Sequence, residues 1–475
     1  MNRLLVTAMS ALLTVPATAA VPESALTIYR NDSGALFEGG GSPIADGYAI
    51  VHEGRVLKLS DGVQTVVIDG LPSTLDAEAI AIELGSGARV LAQRVLAAGD
   101  SGLLAAHRGE KINVISASTT LSGTLLSLDG GGLVLRGDDG RIHYIRDYSS
   151  VQFVEGSGLP GATLQLSVNG SAGTQLAKLT YPTSGLGWRA AYSVLLESDT
   201  PCRARLDAYA SIANRSGRDY PASRLKLIAG QPNIASSSGG GARPMMMKAM
   251  ASEAYDGGLP EQTSLGDYRS FLIDAALQLP DASVTQVPLY ASSDISCERS
   301  WIVENGSAWS PDKPTLSQGS GARSTSMVTS ALRFSAKDNL PAGYLRVLTR
   351  DRDSQIEFLG ENRVADTAKG QPVDITLGNA FDLVATRERT AFSVDRGARE
   401  MNESFRLTLS NTGDNARTVT VREHHNRWNN WQVASSSIKP NRKTPDLLEF
   451  QIPVAAGGKT TLDFSITYSW TAAQE

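Results

Sequence analysis

The stretch that decides the fold spans residues 179–233 and reads LTYPTSGLGWRAAYSVLLESDTPCRARLDAYASIANRSGRDYPASRLKLIAGQPN. Within it, residues 203–213 alternate between apolar and polar side chains, and this period of two predicts a strand with one buried face. The residues of the predicted buried face are Ala204, Leu206, Ala208, Ala210 and Ile212. Residues 214–217 predict a turn, after which Leu225, Leu227 and Ala229 resume the alternation. The stretch therefore predicts three successive strands and an all-β protein.

The same alternation continues to the end of the chain. It is clearest in the predicted last strand, whose apolar face consists of Leu462, Phe464, Ile466, Tyr468 and Trp470. We expect a small β module over 21–90, a main β domain over 156–386 and a C-terminal module over 387–475. The number of strands in the last module is typical of an immunoglobulin-like sandwich. The predicted fold class is therefore all-β, with sandwich modules that follow an N-terminal module and an insert.

The insert, residues 91–155, contains five short strand-like runs separated by Gly- and Asp-rich turns. Five short antiparallel strands predict a small closed barrel, because closure leaves no exposed strand edge. A barrel alone does not indicate a function.

Residues 1–20 have the pattern of a secretory signal peptide. Arg3 gives a positive start, residues 4–15 are apolar, and residues 17–20 are small residues suited to cleavage. The alternative is a membrane anchor, but the apolar run is too short to span a bilayer. We therefore expect a periplasmic or secreted protein with no transmembrane segment after cleavage.

The charge of the chain argues against a nucleic-acid partner. The formal net charge is −5, and removing Arg3 with the signal peptide makes it −6. A nucleic-acid surface needs a basic stripe, and no local run of Lys and Arg provides one.

The two cysteines, Cys202 and Cys297, allow a single pairing. In an oxidising compartment a pair more often forms a bridge than stays free, so we predict a Cys202–Cys297 disulfide. It closes a long loop, which is worth on the order of 4 kcal/mol in the chain-entropy model. The alternative is two buried thiols, since the spacing fits no metal motif.

Short motifs in a fixed order carry a family resemblance. They are Gly187-Trp188 with Tyr192, 210–219, 225–232, 340–343, 358–361, Leu377-Gly378, 380–382, 421–423 with Trp428 and Trp431, and Pro453 with 456–458. The chain thereby resembles a bacterial family of domains of unknown function, catalogued under the number four-one-three-nine. Some members are named mucoidy inhibitor A. The resemblance implies β-sandwich modules in the envelope and a link to exopolysaccharide, and it transfers no catalytic residue.

Residues 49–71 and 75–82 resemble an N-terminal module often paired with this family. In the mucoidy-inhibitor members a long coiled coil separates the two modules. This chain has no sustained heptads, so we expect a shorter arrangement without coil-mediated assembly.

Four methionines, Met245, Met246, Met247 and Met250, lie within a Gly- and Ser-rich stretch, 233–264, that we interpret as a mobile loop. Thioethers are soft ligands that suit Cu(I), so one hypothesis is a periplasmic copper binder. The alternative is an adaptable apolar loop that docks on its own domain or on a partner, because no nearby His or Cys supports a metal.

A second candidate site combines Glu423, His424 and His425 with Trp428 and Trp431. Glu423 and His425 fall on one strand face and can form an acid/base pair, which gives a hydrolase hypothesis. The alternative is a strand end with a satisfied Glu and exposed His. The tryptophans fit either a sugar-stacking platform or hydrophobic plugs. We treat the five residues as a candidate interaction surface.

These observations favour a non-catalytic envelope protein that interacts with a protein or a polysaccharide, with no cofactor and no enzymatic activity. The motifs of zinc peptidases, serine hydrolases and P-loop nucleotide-binding proteins do not occur in the sequence. Copper binding through the methionines and hydrolysis by Glu423 and His425 are the two alternatives.

Overall fold

A computed structural model describes residues 24–97, 104, 107–116, 119–129, 132–153, 161–230, 260–266, 268–308, 311–319 and 323–474. The first strands are β1 Ala25–Tyr29, β2 Ala49–Leu59, β3 Gly62–Leu71, β4 Ala81–Glu83, β5 Ala88–Leu96, β6 Lys111–Ser116, β7 Thr119–Asp129, β8 Gly132–Gly137, β9 Ile142–Ile145 and β10 Ser150–Phe153. The central strands are β11 Ala162–Gly170, β12 Gly173–Thr183, β13 Leu186–Asp199, β14 Cys202–Asn214, β15 Tyr220–Ala229, β16 Glu261–Leu265, β17 Tyr268–Leu279, β18 Ser283–Asn305, β19 Arg323–Ser335 and β20 Gly343–Arg350. The last strands are β21 Ile356–Val364, β22 Pro372–Asp395, β23 Glu400–Asn411, β24 Arg417–His424, β25 Trp431–Ser436, β26 Arg442–Lys443, β27 Leu447–Val454 and β28 Lys459–Ser469. A short helix, α1 Gly34–Phe37, and a 3-10 turn, Ala472–Gln474, accompany them, so the all-β prediction is confirmed.

The chain divides into two compact units. The first consists of residues 1–188 and 212–285, and the second of residues 189–211 and 286–475. The chain therefore enters the second unit twice, whereas the sequence suggested modules arranged in order along the chain.

The first unit contains three sheets, one of which includes the C-terminal part of the deciding stretch. This sheet has seven strands in the order β16-β17-β15-β1-β2-β12-β4. Leu225 and Leu227 on β15 are fully buried, as the alternation predicts. Trp188 is also fully buried, and its indole N–H donates to the carbonyl of Ile228 at 3.0 Å. A three-stranded sheet, β3-β11-β5, accompanies it.

The predicted turn at 214–217 is confirmed, and its polar residues serve its geometry. The side-chain amide of Asn214 donates to the carbonyls of Arg218 at 2.7 Å and Leu279 at 2.8 Å. Its oxygen accepts from the Ser216 hydroxyl at 2.8 Å. Both side chains are buried, so this turn is an internal joint of the first unit.

The barrel predicted for 91–155 is wrong, although its five strands are present. They form an open sheet in the order β10-β6-β7-β8-β9, and in the described residues its two end strands do not pair with each other. Each end strand has only four residues, which is too short for the tilt and stagger that closure needs. One face is covered instead by Leu104 and by His107, whose ring centroid lies 4.3 Å from that of Phe153.

The second unit is built on one connected sheet of thirteen strands. Its main path is β21-β20-β13-β14-β18-β19-β22-β23-β28-β25, and β24, β26 and β27 branch from β18. The buried face of β14 is the one that the sequence predicts, with Ala204, Leu206 and Ala208 at most 5% exposed. Strand β22, Pro372–Asp395, continues through the expected boundary at 386/387.

The C-terminal part of this unit is sandwich-like. Apolar side chains of β23 and β28 meet those of β24 and β27 in one core cluster. The predicted face of the last strand is confirmed, because Leu462, Phe464, Ile466, Tyr468 and Trp470 are all at most 5% exposed. No helix in the described ranges is both long and apolar enough to cross a membrane.

Candidate functional site

The predicted disulfide is confirmed. Cys202 at the start of β14 and Cys297 on the neighbouring strand β18 are bonded, with their Cα atoms 5.0 Å apart. The bond ties two adjacent strands in the middle of the second unit. The four methionines of the copper hypothesis lie outside the described residues. Within the described part of the chain, no three His, Cys, Asp or Glu side chains are grouped to hold a metal ion.

Glu423, at the end of β24, is fully buried rather than exposed. Its carboxylate accepts from the amide of Asn305 at 2.7 Å and from Nε of Arg387 at 3.2 and 3.0 Å. Burial raises the pKa of Glu423, and the Arg387 guanidinium opposes that rise. The carboxylate is thus held inside the module with both oxygens engaged.

His425 is also buried, and burial together with the nearby Arg387 charge lowers its pKa to about 3. Its Nδ1 lies 3.4 Å from the hydroxyl of Tyr468, and its ring centroid lies 4.4 Å from that of Trp431. In the described residues Nε2 has no hydrogen-bond partner. The imidazole therefore belongs to an aromatic core, and Glu423 makes its hydrogen bonds elsewhere. The geometry gives no support to an acid/base pair that could reach a substrate.

The remaining members of the candidate surface are also withdrawn from solvent. Trp428 and Trp431 are 6% and 7% exposed, and the Trp431 indole donates to the carbonyl of Pro445 at 2.6 Å. His424 is half-buried, and its Nε2 lies 2.8 Å from the Glu304 carboxylate. The five residues do not form an exposed surface, because strand parity directs Glu423 and His425 into the core with Val419 and Val421.

A second buried glutamate lies in the first unit, where Glu53 of β2 is 7% exposed. Both of its oxygens bond Arg218, at 3.1 and 2.7 Å, and one also accepts from Tyr181 at 3.0 Å and Arg55 at 3.2 Å. Burial disfavours the charge, but Arg218, Arg55 and Tyr181 outweigh it and lower the pKa of Glu53. This closed set of charges has a structural role.

An exposed site does exist in the second unit, and it begins with a distortion of β22. On β19 the step from Val328 to Met327 is one residue, but their partners on β22 are Ala380 and Val384. Three residues of β22 are therefore extra, and such bulges redirect side chains. Phe381 is directed outward and is 90% exposed, the highest value among the exposed large apolar side chains.

Trp301, on β18, supplies the second aromatic ring of this site. One side of it packs against the core of the sandwich-like module. Arg417 and Arg299 lie 4.4 and 5.8 Å from its ring centroid, which is cation–π range. Arg299 is further fixed by the Asp199 carboxylate at 3.0 Å and the Ser330 hydroxyl at 3.0 Å.

A tight turn at 411–415 forms the opposite wall of the site. The buried Asn411 side chain donates to the carbonyl of Asn415 at 2.8 Å and accepts from the amide of Gly413 at 3.1 Å. The amide of Thr412 donates to the carbonyl of Asp382 at 2.9 Å, which ties the turn to the bulge. The wall is therefore fixed by hydrogen bonds.

Together these elements enclose a groove of about 300 Å³. Its lining is Arg299, Trp301, Ser330, Leu359, Leu377, Gly378, Asn379, Ala380, Phe381, Asp382, Leu383, Asn411, Gly413, Asp414, Asn415 and Arg417. Aromatic rings share the lining with short amides, carboxylates and two guanidiniums, so the groove can hold apolar C–H faces and bond hydroxyl groups at once. Sequence analysis missed it as a site, although residues 377–378 and 380–382 were already singled out as motifs.

Fold and site define an all-β protein whose second unit is sandwich-like and carries an exposed groove. Residues 177–472 match the family described as Domain of unknown function (DUF4139), which is more than half of the chain. The chain belongs to this family, as its motifs indicated. No match is found among curated proteins.

Proposed function

We propose that this protein is a secreted, non-catalytic cell-envelope protein that binds a polysaccharide in the groove of its second unit. The observation that carries the proposal is the 90% exposure of Phe381, which lines the same groove as Trp301 and several amides and carboxylates. Exposing a phenylalanine to water is unfavourable unless something covers it. A sugar ring is a suitable cover, because it has an apolar face and hydroxyl groups around its edge.

The placement of the polar groups supports a sugar over an apolar small molecule. Asn379, Asp382, Asp414 and Asn415 supply short acceptors and donors along the groove, and Arg417 supplies a guanidinium. Each can bond a hydroxyl group at the edge of a ring that stacks on Phe381 or Trp301. The secreted location and the absence of catalysis are further parts of the proposal, drawn from the signal-like N-terminus and the inaccessible Glu423 carboxylate.

The test is affinity electrophoresis of the full chain in gels that contain dextran, a mixed-linkage β-glucan or methyl-esterified polygalacturonate. We expect at least one polymer to retard the wild-type protein and Phe381→Ala to weaken the retardation. Stacking is worth about 0.5–1.5 kcal/mol, so the expected weakening is about 2–12-fold. Val63→Ala, a change of another exposed apolar residue in the first unit, is the matched control. No retardation by any polymer, or equal retardation of Phe381→Ala, contradicts the proposal.

A further inference from the structure

The outer face of β20 and β21 carries an unusual combination of side chains. In β20, Tyr344, Arg346, Leu348 and Arg350 share one face because side chains alternate along a strand. The intervening Leu345 and Val347 are fully buried, so the face that carries Tyr344 and the two arginines points away from the core. The residues opposite the set on β21 are Arg363, Glu361, Phe358 and Ile356.

This face is basic and apolar at the same time. Phe358 and Ile356 are 60% and 52% exposed, and Arg346, Arg350 and Arg363 are exposed beside them. Three exposed arginines against one glutamate give the face a net charge of +2, whereas the whole chain carries −5. Positive charge therefore exceeds negative charge on this one face of an acidic protein.

The guanidinium groups on this face are held in position. The Tyr344 ring lies between Arg189 of β13 and Arg363 of β21, at 4.5 and 4.8 Å from its centroid. Arg346 bonds Glu361 at 2.5 Å, and Arg350 donates to the carbonyl of Ser354 at 3.0 Å. A guanidinium whose position is fixed by stacking loses less side-chain entropy when it binds a carboxylate.

The face lies at the end of the sheet and adjoins the groove. Strand β21 is the terminal strand of its path, and charges on such a strand also discourage pairing with another strand. That role alone does not account for the exposed Phe358 and Ile356. On β21, Gly360 pairs with Val347 and Phe358 pairs with Leu348, so Leu359 between them is an unpaired bulge residue. Leu359 lines the groove.

We propose that this face binds the carboxylate groups of an acidic polysaccharide whose adjoining sugars occupy the groove. The proposal rests on the proposed function for its polysaccharide partner, and charge complementarity supplies the acidic character. Arg346 and Arg350 are four residues apart, which is about 13 Å along a strand, so a polymer with regularly repeated carboxylates can meet both. Arginine binds carboxylates through two parallel hydrogen bonds, and Phe358 offers an apolar surface between the charges.

The experiment compares one polymer in two charge states. Polygalacturonate and its methyl-esterified form have the same backbone, and binding of the full chain to each is measured by affinity electrophoresis at low salt and at 200 mM NaCl. We expect tighter binding of the acidic form, reduced by salt because exposed charges are screened. The triple variant Arg346→Gln, Arg350→Gln, Arg363→Gln should bind the acidic form about tenfold more weakly. It should bind the esterified form like the wild type.

The matched control is Arg89→Gln, Arg94→Gln, Arg141→Gln, which removes the same charge from exposed positions of the first unit. Equal loss in both triple variants, or equal binding of the two polymers by the wild type, overturns the inference. Binding of phosphatidylglycerol vesicles but of neither polymer also overturns it, in favour of a lipid surface. If the groove does not bind sugars, the result is different. Phe381→Ala then leaves the binding of both polymers unchanged, while binding of the acidic polymer still depends on the three arginines.

Discussion

Glu53 of the first unit and Glu423 of the second are both buried glutamates at which an arginine donates to both carboxylate oxygens, yet their surroundings act on them in opposite directions. Glu53 has two guanidiniums and a tyrosine hydroxyl, and its pKa is lowered. Glu423 has one guanidinium and one amide, and its pKa is raised. Ion pairing outweighs burial at Glu53, whereas burial outweighs ion pairing at the more deeply buried Glu423.

The difference predicts opposite pH dependences for the two residues. Glu53 stabilises the fold above its unfolded pKa, and that contribution is lost as the pH falls through its lowered native pKa. The native state holds the proton of Glu423 more tightly than the unfolded chain does. Its contribution is therefore complete at low pH and is lost as the pH rises through the raised native pKa.

The largest expected effect is that of Glu53→Gln, which leaves Arg218 and Arg55 without their anion. Removing one partner of a buried ion pair costs about 3–5 kcal/mol. Urea unfolding, followed by hydrogen exchange in β2 and β12, measures the loss. Glu83→Gln on the exposed end of β4 is the control and should change little. A loss of stability no larger than that of the control would show that Arg218 and Arg55 move to solvent when the Glu53 carboxylate is removed.

The next effect concerns His425, whose native pKa is about 3. The native state stays neutral while the unfolded chain takes up a proton below pH 6.5, so this contribution to stability falls as the pH falls through that window. At 1.36 kcal/mol per pH unit the loss at pH 4 is roughly 3 kcal/mol. His425→Phe keeps an aromatic ring beside Trp431 and should flatten the pH dependence of the second unit. If stability falls between pH 7 and pH 4 as steeply in His425→Phe as in the wild type, the imidazole is not held neutral in the native state.

A smaller effect is expected for Glu423→Gln. Burial raises the pKa of Glu423, so its charge contributes less to stability than that of Glu53. Glutamine can still accept from Asn305 and Arg387, and the expected loss is about 1–2 kcal/mol at pH 7. The same urea experiment, followed in β24 and β27, measures it. A loss equal to that of Glu53→Gln would remove the contrast between the two sites.

The smallest effect is expected for an ion pair that has similar geometry to Arg218 and Glu53 but is exposed to solvent. Arg333 and Asp374 form a two-point pair at 2.5 and 3.0 Å, much like Arg218 and Glu53, but both side chains are more than half exposed. Solvent screens such a pair, so Asp374→Asn should change the stability by at most about 0.5 kcal/mol. A loss near that of Glu53→Gln would mean that geometry, and not burial, sets the scale.

Alternation was sufficient to predict the strands and most of their buried faces. The faces of β14 and β28 follow from the side-chain period of two, and in the structure Glu423 shares the buried parity of Val419 and Val421. The partner could not be predicted, because Arg387 comes from β22 and lies 36 residues away. His425, Trp428 and Trp431 were therefore assigned to a surface, although all three are buried.

The groove and the open sheet escaped prediction for a related reason. Both depend on register, and a single sequence gives no register between distant strands. Nothing in the alternation of residues 372–395 indicates that three of them are extra relative to β19. The five strands of the insert were likewise correct, but their closure depended on a contact between β9 and β10 that the described structure lacks.

Strand β22 pairs with β19 along its first part and with β23 along its second, without a break at 386/387. A recombination event at that position would leave each parental half with a truncated strand and an open hydrogen-bonding edge. Strand β22 can therefore be exchanged between proteins only together with β19 and β23. Gene fusions that retain function should have their junctions outside 372–395.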